Sequence, residues 1–194
     1  MKLPVIAYGD SILRKVGENI TPDYPDLTQL IADMKETMYY AYGVGLAAHQ
    51  VGKAIRLFVV DTAPFAEDDE LKPEEQEFLK QFNKVFINAQ ILEESGEAWA
   101  FNEGCLTIPD VREDVYRCDT IKINYFDENF VEHTEIINGL AARVVQHEYD
   151  HIEGILFTDH LSSLKKRLLK KRLDNISKGK IKVDYKMKFP NLKR

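Results

Sequence analysis

The sequence predicts an α+β fold in which mixed or antiparallel strands pack around one central helix, followed by a basic C-terminal helix. The 194 residues, 44% of them hydrophobic, suit one sizeable core. Apolar residues recur at helical spacing in 27–42 and in 138–153, the predicted central helix. Runs rich in β-branched and aromatic residues predict strands at 55–61, 84–92, 121–126 and 131–137.

The connections follow from local composition. The acidic stretch 64–82 is expected to be an exposed loop that leads into a short helix. The strands 121–126 and 131–137 are expected to pair as a hairpin, with Asn129 in a left-handed conformation at the turn. Gly154 is the predicted stop of the central helix, because glycine tolerates the backbone that ends helices.

The C-terminal stretch differs in charge from the rest. Residues 161–194 contain 13 Lys and Arg against 2 acids, a net charge of +11, which leaves −17 for residues 1–160. We therefore divide the chain into a body, 1–160, and a basic helix and tail, 161–194. The asymmetry indicates either an anionic partner or packing on the acidic body. A helix over 161–176 would present Leu161, Leu164, Leu168 and Leu173 on one face, with Lys165, Lys166, Lys170 and Lys171 outside it.

The predicted central helix carries His147 and His151, four residues apart. Side chains at this spacing share one helix face and can bind a single metal ion, while Glu148 is placed to act on water, as hydrolysis requires. Exposed, unliganded histidines are the alternative. Apolar Val144 and Val145 predict a buried helix, in which two imidazoles and a carboxylate need partners, and so favour metal binding.

A catalytic site of this type usually has a third protein ligand. A metzincin protease would have histidine where this chain has Phe157. A gluzincin would use a downstream glutamate, and none follows Glu153. Asp159 and His160 remain possible ligands close to the helix end.

Cys105 is the better candidate for the third ligand. A thiolate binds borderline divalent metals strongly, and the preceding Gly104 leaves room for a close backbone approach. Burial as a small apolar residue is the alternative for Cys105, and it is the preferred interpretation of Cys118. Two cysteines in a chain of this length indicate a reducing compartment and not a disulfide scaffold.

Three ordered motifs resemble those of the peptide deformylases: GVGLAAHQ at 43–50, EGCLT at 103–107 and QHEYDHIEG at 146–154. The resemblance extends to about Leu161. It implies metal-dependent removal of the formyl group from the N-terminal formyl-methionine of new polypeptides, with release of formate. By the same resemblance, ferrous iron is the expected cofactor, with zinc, nickel or cobalt able to substitute, held by Cys105, His147 and His151.

The resemblance also implies catalytic roles. Glu148 would take a proton from water and pass it to the leaving amine. The Gln50 side chain and the backbone N–H of Leu106 would stabilise the charge that develops on the formyl oxygen. Thr107 stands where serine is usual in the family and keeps the hydroxyl.

Substrate contacts are predicted from position. Small residues of the first motif allow a peptide to add along a strand edge. One helical face, shared with His147, can wall a pocket for the methionine side chain. On that face the stem of Arg143 can pack while its guanidinium binds a carboxylate or reaches solvent, or the whole side chain can point outward. Arg112 either contacts the peptide backbone or forms a surface salt bridge. The predicted substrate-binding set is Val44, Gly45, Gly104, Arg112, Leu140, Arg143 and Val144.

Composition bounds the location and partners. No run of about 18 apolar residues or signal-peptide pattern is present, so we expect a cytoplasmic protein without membrane contact. Expected partners are nascent N-formyl-methionyl peptides and, through the basic helix, the ribosome. Two alternatives are a metalloprotease that cuts internal peptide bonds and a non-catalytic metal-binding or ribosome-binding module. Intact Glu148 and Gln50 argue against the latter.

Overall fold

A computed structural model describes residues 1–192, so Lys193 and Arg194, the end of the predicted tail, lie outside the described residues. Its helices are α1 (Leu27–Tyr40), α2 (Pro73–Gln81), α3 (Gly139–Ile152) and α4 (Ser163–Ser177). Its strands are β1 (Val5–Ile6), β2 (Gly45–Ala47), β3 (Leu57–Asp61), β4 (Asn83–Cys105), β5 (Ile108–Phe126), β6 (Glu132–Asn138) and β7 (Met187–Lys188). None of the described helices is long and apolar enough to cross a membrane.

Five strands form an antiparallel sheet in the order β2-β3-β4-β5-β6, and α3 packs against it. Phe58 of β3 and Phe86 of β4 are directly paired, and their rings stack with centroids 4.7 Å apart in the core beneath α3. A second, two-stranded sheet joins β1 and β7 in parallel. The predicted α+β architecture is confirmed, and the five-stranded sheet is antiparallel throughout.

The predicted strands 84–92 and 121–126 are only the outer ends of a much longer hairpin. β4 and β5 stay paired from Ile87–Phe126 to Cys105–Ile108, with register shifts that bend the hairpin. The inner half escaped prediction because the acidic run around Gly96 lacks the apolar alternation of a half-buried strand. This hairpin carries Cys105 to the middle of the molecule, opposite α3.

The central helix agrees with its prediction to within one residue at each end. Gly154 follows it with φ +73°, and a Cβ on this residue would lie 2.7 Å from the carbonyl oxygen of Arg14. Any side chain there would be strained and would clash with backbone, so glycine is required at this helix stop. Ten of the side chains of α3 are buried, including both histidines.

Two local predictions were wrong in detail. In the β5–β6 turn the positive φ of 56° belongs to Phe130 and not to Asn129. The Asp127 carboxylate accepts hydrogen bonds from the backbone N–H groups of Asn129 and Val131, which moves the left-handed residue one position on. Helix α1 ends at Tyr40 and not at Tyr42, because Tyr42 itself adopts φ 58°.

The acidic stretch is a 3₁₀ turn at Ala63–Glu67 followed by α2, as predicted. The predicted apolar face of the C-terminal helix is half right: Leu161 and Leu173 are buried, whereas Leu164 and Leu168 are 59% and 74% exposed. Leu173 and Ile176 of α4 pack on a cluster with Phe157. The body therefore covers only part of the predicted apolar stripe.

Candidate metal centre

Three side chains meet between the end of β4 and the middle of α3. One ligand atom from each of Cys105, His147 and His151 lies within 4.8 Å of the others, the one group of this kind among residues 1–192. The Cys105 Sγ is 3.3 Å from the Nε2 atom of His151. One thiolate and two imidazoles suit a divalent ion of borderline softness, and three protein ligands leave a position open for water or substrate.

The two alternative third ligands face elsewhere. His160 is 2.7 Å from the Asp150 carboxylate through its Nε2 atom, and Asp159 is paired with Arg14 at the surface. Neither belongs to the cluster of potential ligands. The structure therefore brings Cys105, and neither of these residues, to the two histidines of α3.

Glu103 is the polar hub beneath the cluster. Its carboxylate accepts two hydrogen bonds from Arg117, at 2.7 and 3.1 Å, and lies 2.9 Å from the Nδ1 atom of His147. A histidine held through Nδ1 presents Nε2 to a metal, and such a carboxylate partner fixes the ring orientation. Burial alone would raise the pKa of Glu103, but its bonds to His147 and Arg117 hold that pKa well below the usual value.

Arg143 completes the hub. Its guanidinium donates to Glu103 at 3.1 Å and to the backbone carbonyl of Trp99 at 2.6 Å, and it lies 4.4 Å above the Trp99 ring. With 2% exposure it does not face outward. The sequence left open whether the Arg143 guanidinium binds a carboxylate, reaches solvent or points outward. In the structure it binds the carboxylate of Glu103.

The electrostatics favour a cation at the cluster. Burial lowers the pKa of His147, but hydrogen bonds to Cys105 and Glu103 raise it well above the usual value. This direction means that the groups around the His147 ring favour positive charge on it. His151 is buried with no hydrogen-bond partner for its Nδ1 atom among the described residues, and burial lowers its pKa. A neutral imidazole of this kind is the form that binds metals.

Glu148 lies between α3 and β2. A Cβ on Gly45 would be 2.5 Å from Oε1 of Glu148, so only glycine leaves space for this carboxyl group. Its Oε2 atom has no hydrogen-bond partner within the described part of the chain, and burial raises its pKa to about 7. A buried carboxyl group with a pKa near neutrality can both accept and return a proton.

The Gln50 side chain is oriented by the backbone of Ala47. Its Oε1 atom accepts a 2.7 Å hydrogen bond from the N–H of Ala47, so the amide nitrogen is the atom left to donate. That nitrogen lies 3.4 Å from the Sγ atom of Cys105 and 3.3 Å from the hydroxyl of Thr107. The fixed donor therefore faces the same space as the potential ligands.

A cavity of about 530 Å³ opens beside the cluster. One predicted substrate-binding residue, Leu140, does not line this cavity. It packs instead against the core between α3 and the sheet. Arg112 donates to the side chain of Asn102 at 2.9 Å and to its backbone carbonyl, at the cavity mouth. The predicted residues that line the cavity are Val44, Gly45, Gly104, Arg112, Arg143 and Val144, with Gln50, Leu106 and Glu148.

Sequence reasoning missed several cavity residues. Phe65, from the 3₁₀ turn before α2, and Phe101, from β4, face each other edge to face at 6.1 Å in its apolar part. Glu103 was noticed only as part of a motif, because its partners come from distant segments. Residues 182–185 of the tail also line the cavity, whereas the charge pattern had indicated either an anionic partner or packing on the acidic body.

Comparisons with known proteins identify the family of this chain. The family model described as polypeptide deformylase matches residues 2–167. The peptide deformylases of Christiangramia forsetii and Flavobacterium johnsoniae are 64% and 62% identical over 194 residues, covering all of this chain and 99% of each relative. A crystal structure of a peptide deformylase from Legionella pneumophila has a TM-score of 0.77 at 32% identity, covering 93% of this chain and 98% of that one. A peptide deformylase from Synechococcus elongatus in complex with actinonin has a TM-score of 0.74 at 34% identity, covering 90% and 85%.

Proposed function

This chain belongs to the polypeptide deformylase family, and we propose which of its residues carry out the reaction. The family activity is metal-dependent hydrolysis of the formyl group on the N-terminal formyl-methionine of new polypeptides, with release of formate. The observation that supports the site is the meeting of three potential ligands with the buried Glu148 carboxyl group, whose Oε2 atom has no hydrogen-bond partner among residues 1–192.

The test of this function is a comparison of two substrates. A formyl-methionyl peptide should release formate on incubation with the metal-loaded protein. The same peptide without the formyl group should remain intact, whereas a metalloprotease would cut it internally. Cleavage of the unformylated peptide, without formate from the formylated one, would assign the cavity to proteolysis.

Cys105, His147 and His151 would hold the metal, with ferrous iron as the proposed ion and zinc, nickel or cobalt able to substitute. When bound, such an ion would supply Lewis acidity, which lowers the pKa of water to about 7. The hydrogen bond between His147 and Glu103 keeps that ring in position.

Glu148 is the proposed general base and acid. Its carboxylate form takes a proton from water, and its acid form returns the proton to the leaving amine. Burial among α3, β2 and the cluster brings its pKa to about 7, so both forms are accessible at neutral pH. Gly45 provides the space that this carboxyl group needs.

Gln50 and the backbone N–H of Leu106 are the proposed donors to the formyl oxygen as charge develops on it. The bond from Ala47 fixes the Gln50 amide before substrate arrives, so no reorganisation is required. One such donor is typically worth about 3 kcal/mol of the barrier.

The methionine side chain would enter the apolar part of the cavity. Val44 and Val144 form its walls, and Phe65 and Phe101 add aromatic surface. Arg143 contributes its stem, because its guanidinium is already bound to Glu103 and Trp99. Gly45, at the edge strand β2, Gly104 and Arg112 are proposed to lie along the peptide backbone, while Leu140 supports the wall from below.

Iron loading predicts a sensitivity to air. An iron-bound thiolate is open to oxygen chemistry, so activity of the iron-loaded protein should decay in air, whereas nickel-loaded protein should remain active. Timed formate assays under air and under nitrogen measure this difference. In Cys105→Ser, weaker metal retention on dialysis is expected as well. Full activity and full metal retention in that variant would remove Cys105 from the ligand set.

The proposed location is the cytoplasm, where formylated chains are made and where reducing conditions would preserve Cys105. We propose residues 1–160 as the catalytic unit and 161–194 as a unit that also contacts the ribosome. Part of the positive charge of α4 is neutralised within the protein, since Lys165 forms a 2.7 Å ion pair with Glu113. Lys170 and Lys171 are exposed and form no ion pair among residues 1–192, beside the exposed Leu168. These residues leave a basic and partly apolar face for anionic RNA.

Ribosome binding is expected to depend on salt and on this face. Lys170→Glu combined with Lys171→Glu should reduce co-sedimentation with ribosomes at low salt, since each phosphate contact releases counterions. The matched control combines Lys53→Glu and Lys122→Glu, which are exposed on other surfaces and should leave binding unchanged. Equal, salt-insensitive sedimentation of all three proteins would contradict ribosome docking and leave the deformylation proposal intact.

A further inference from the structure

The end of the chain returns to the active site. After α4 the backbone reverses at Gly179, which has φ +69°. β7 then pairs with β1: the N–H of Val5 donates to Lys186 at 2.8 Å and that of Ala7 donates to Lys188 at 2.9 Å. This pairing holds residues 182–185, which we term the return segment, against the wall of the cavity. The return segment lies beyond residue 167, where the match to the family model ends.

Tyr185 makes the direct contact between the return segment and the site. Its hydroxyl donates a 2.7 Å hydrogen bond to the backbone carbonyl of Leu106. Burial, with Cys105 and Asp110 nearby, raises the pKa of Tyr185 well above its usual value. The hydroxyl therefore keeps its proton, and remains a donor, throughout the physiological range.

The bond falls on the two-residue connection between β4 and β5. Leu106 and Thr107 form this turn, directly after Cys105. The carbonyl of Thr107 accepts from the N–H of Tyr8 at 3.0 Å, and its hydroxyl lies 3.3 Å from the Gln50 amide. Within residues 1–192, the Tyr185 hydroxyl is the one hydrogen-bond donor to the Leu106 carbonyl. Without this bond, the Leu106 carbonyl would have no hydrogen-bond donor among the described residues.

We propose that Tyr185 is a positioning residue for deformylation, whose hydroxyl fixes the Leu106 carbonyl and thereby orients the Leu106 N–H at the cavity. The Leu106 carbonyl and the Leu106 N–H belong to consecutive peptide planes that share the Leu106 Cα. When the plane of the carbonyl is held, the plane of the N–H can move relative to it only by rotation about the two backbone bonds of Leu106. A donor fixed before the reaction stabilises developing charge without reorganisation. This inference rests on the role proposed above for the Leu106 N–H.

Tyr185→Phe tests the inference because it removes the hydroxyl and keeps the ring. In the metal-loaded protein, kcat for a formyl-methionyl peptide should fall about threefold to tenfold, a typical effect of one neutral hydrogen bond. KM should stay within about twofold, since a donor aligned for the transition state affects substrate binding less. Hydrogen–deuterium exchange in residues 104–108 should become faster. Metal content should match that of the unaltered protein, and the thermal midpoint should fall by no more than about 4 °C, the cost of one lost hydrogen bond.

Tyr116→Phe is the matched control, because Tyr116 is 69% exposed and its hydroxyl has no hydrogen bond among the described residues. It should change none of these quantities. Unchanged kcat and exchange in Tyr185→Phe would overturn the inference. A fall in kcat accompanied by metal loss, or by a fall in thermal midpoint larger than about 4 °C, would also overturn it, since Tyr185 would then be an anchor of the tail. Failure of the proposed function itself would appear separately, as an unaltered protein that releases no formate.

Discussion

Replacing Glu148 with alanine is expected to abolish nearly all deformylation while the fold and the bound metal remain. Loss of a general acid and base costs about 10² to 10⁴ in rate, and this residue serves both proton transfers. The fold should tolerate the change, because the Glu148 carboxyl group is buried, its Oε2 atom has no hydrogen-bond partner in the described part of the chain, and burial raises its pKa. Removing it relieves a desolvation penalty that offsets part of the lost packing.

Glu148→Gln provides the isosteric comparison. It keeps the shape that fits over Gly45 but cannot exchange a proton, so its formate release should be as low as that of Glu148→Ala. Metal content measured beside activity separates loss of the base from loss of the cofactor. Substantial turnover by either variant with a full metal complement would remove Glu148 from the assigned role.

Replacing Glu103 with leucine is expected to produce the largest loss of stability. The substitution leaves the guanidinium groups of Arg117 and Arg143 buried without their shared carboxylate. Breaking a buried ion pair by removing one partner typically costs about 3 to 5 kcal/mol of unfolding free energy. Denaturant unfolding of the metal-free proteins measures the change without a contribution from bound metal.

Glu97→Leu is the control for this substitution, because Glu97 lies on the same strand β4 but is exposed. Its unfolding free energy should differ from that of the unaltered protein by less than about 0.5 kcal/mol. If Glu103→Leu is destabilised no more than Glu97→Leu, the ion-pair network contributes little to folding. Metal affinity should fall in the Glu103 variant alone, since His147 loses the carboxylate that orients its ring.

The Glu103 contribution should also depend on pH in a defined direction. Although burial opposes ionisation, the bonds from His147 and Arg117 lower the folded-state pKa of Glu103 below the ordinary value of 4.5. Its stabilisation is therefore fully present above about pH 4.5 and is lost as the pH falls through the lower, folded-state pKa. The stability difference between the unaltered protein and Glu103→Leu should narrow only in that acidic window.

The parts of the structure that could be predicted depend on short-range rules. The spacing of His147 and His151 follows from one turn of helix, and Gly154 marks the end of that helix by its backbone freedom. Cys105 was paired with the histidines, although 42 residues separate it from His147, on the metal affinity of a thiolate and on the ordered motifs of a family. No local rule joins such distant residues, so spacing alone gave no support to this pairing.

The rest depends on tertiary contacts that local patterns do not encode. The inner half of the β4–β5 hairpin has a charged sequence. It is stabilised by the pairing of its two strands and by the hydrogen bond from Arg117 to Glu103. The exposure of Leu168 could not be read from helical spacing, because the spacing does not say which stripe the body covers. For the same reason the contact between Tyr185 and Leu106, 79 residues apart, left no signal in the sequence.

The pairing of β1 with β7 has a consequence for the order in which the protein is made. Val5 is synthesised long before Met187, yet the two strands need each other for their hydrogen bonds. During synthesis β1 must therefore wait, unpaired, until Met187 and Lys188 have been translated. The wall that contains Tyr185 is fixed only at that point, so a newly made copy acquires its finished cavity after the rest of the site has been synthesised.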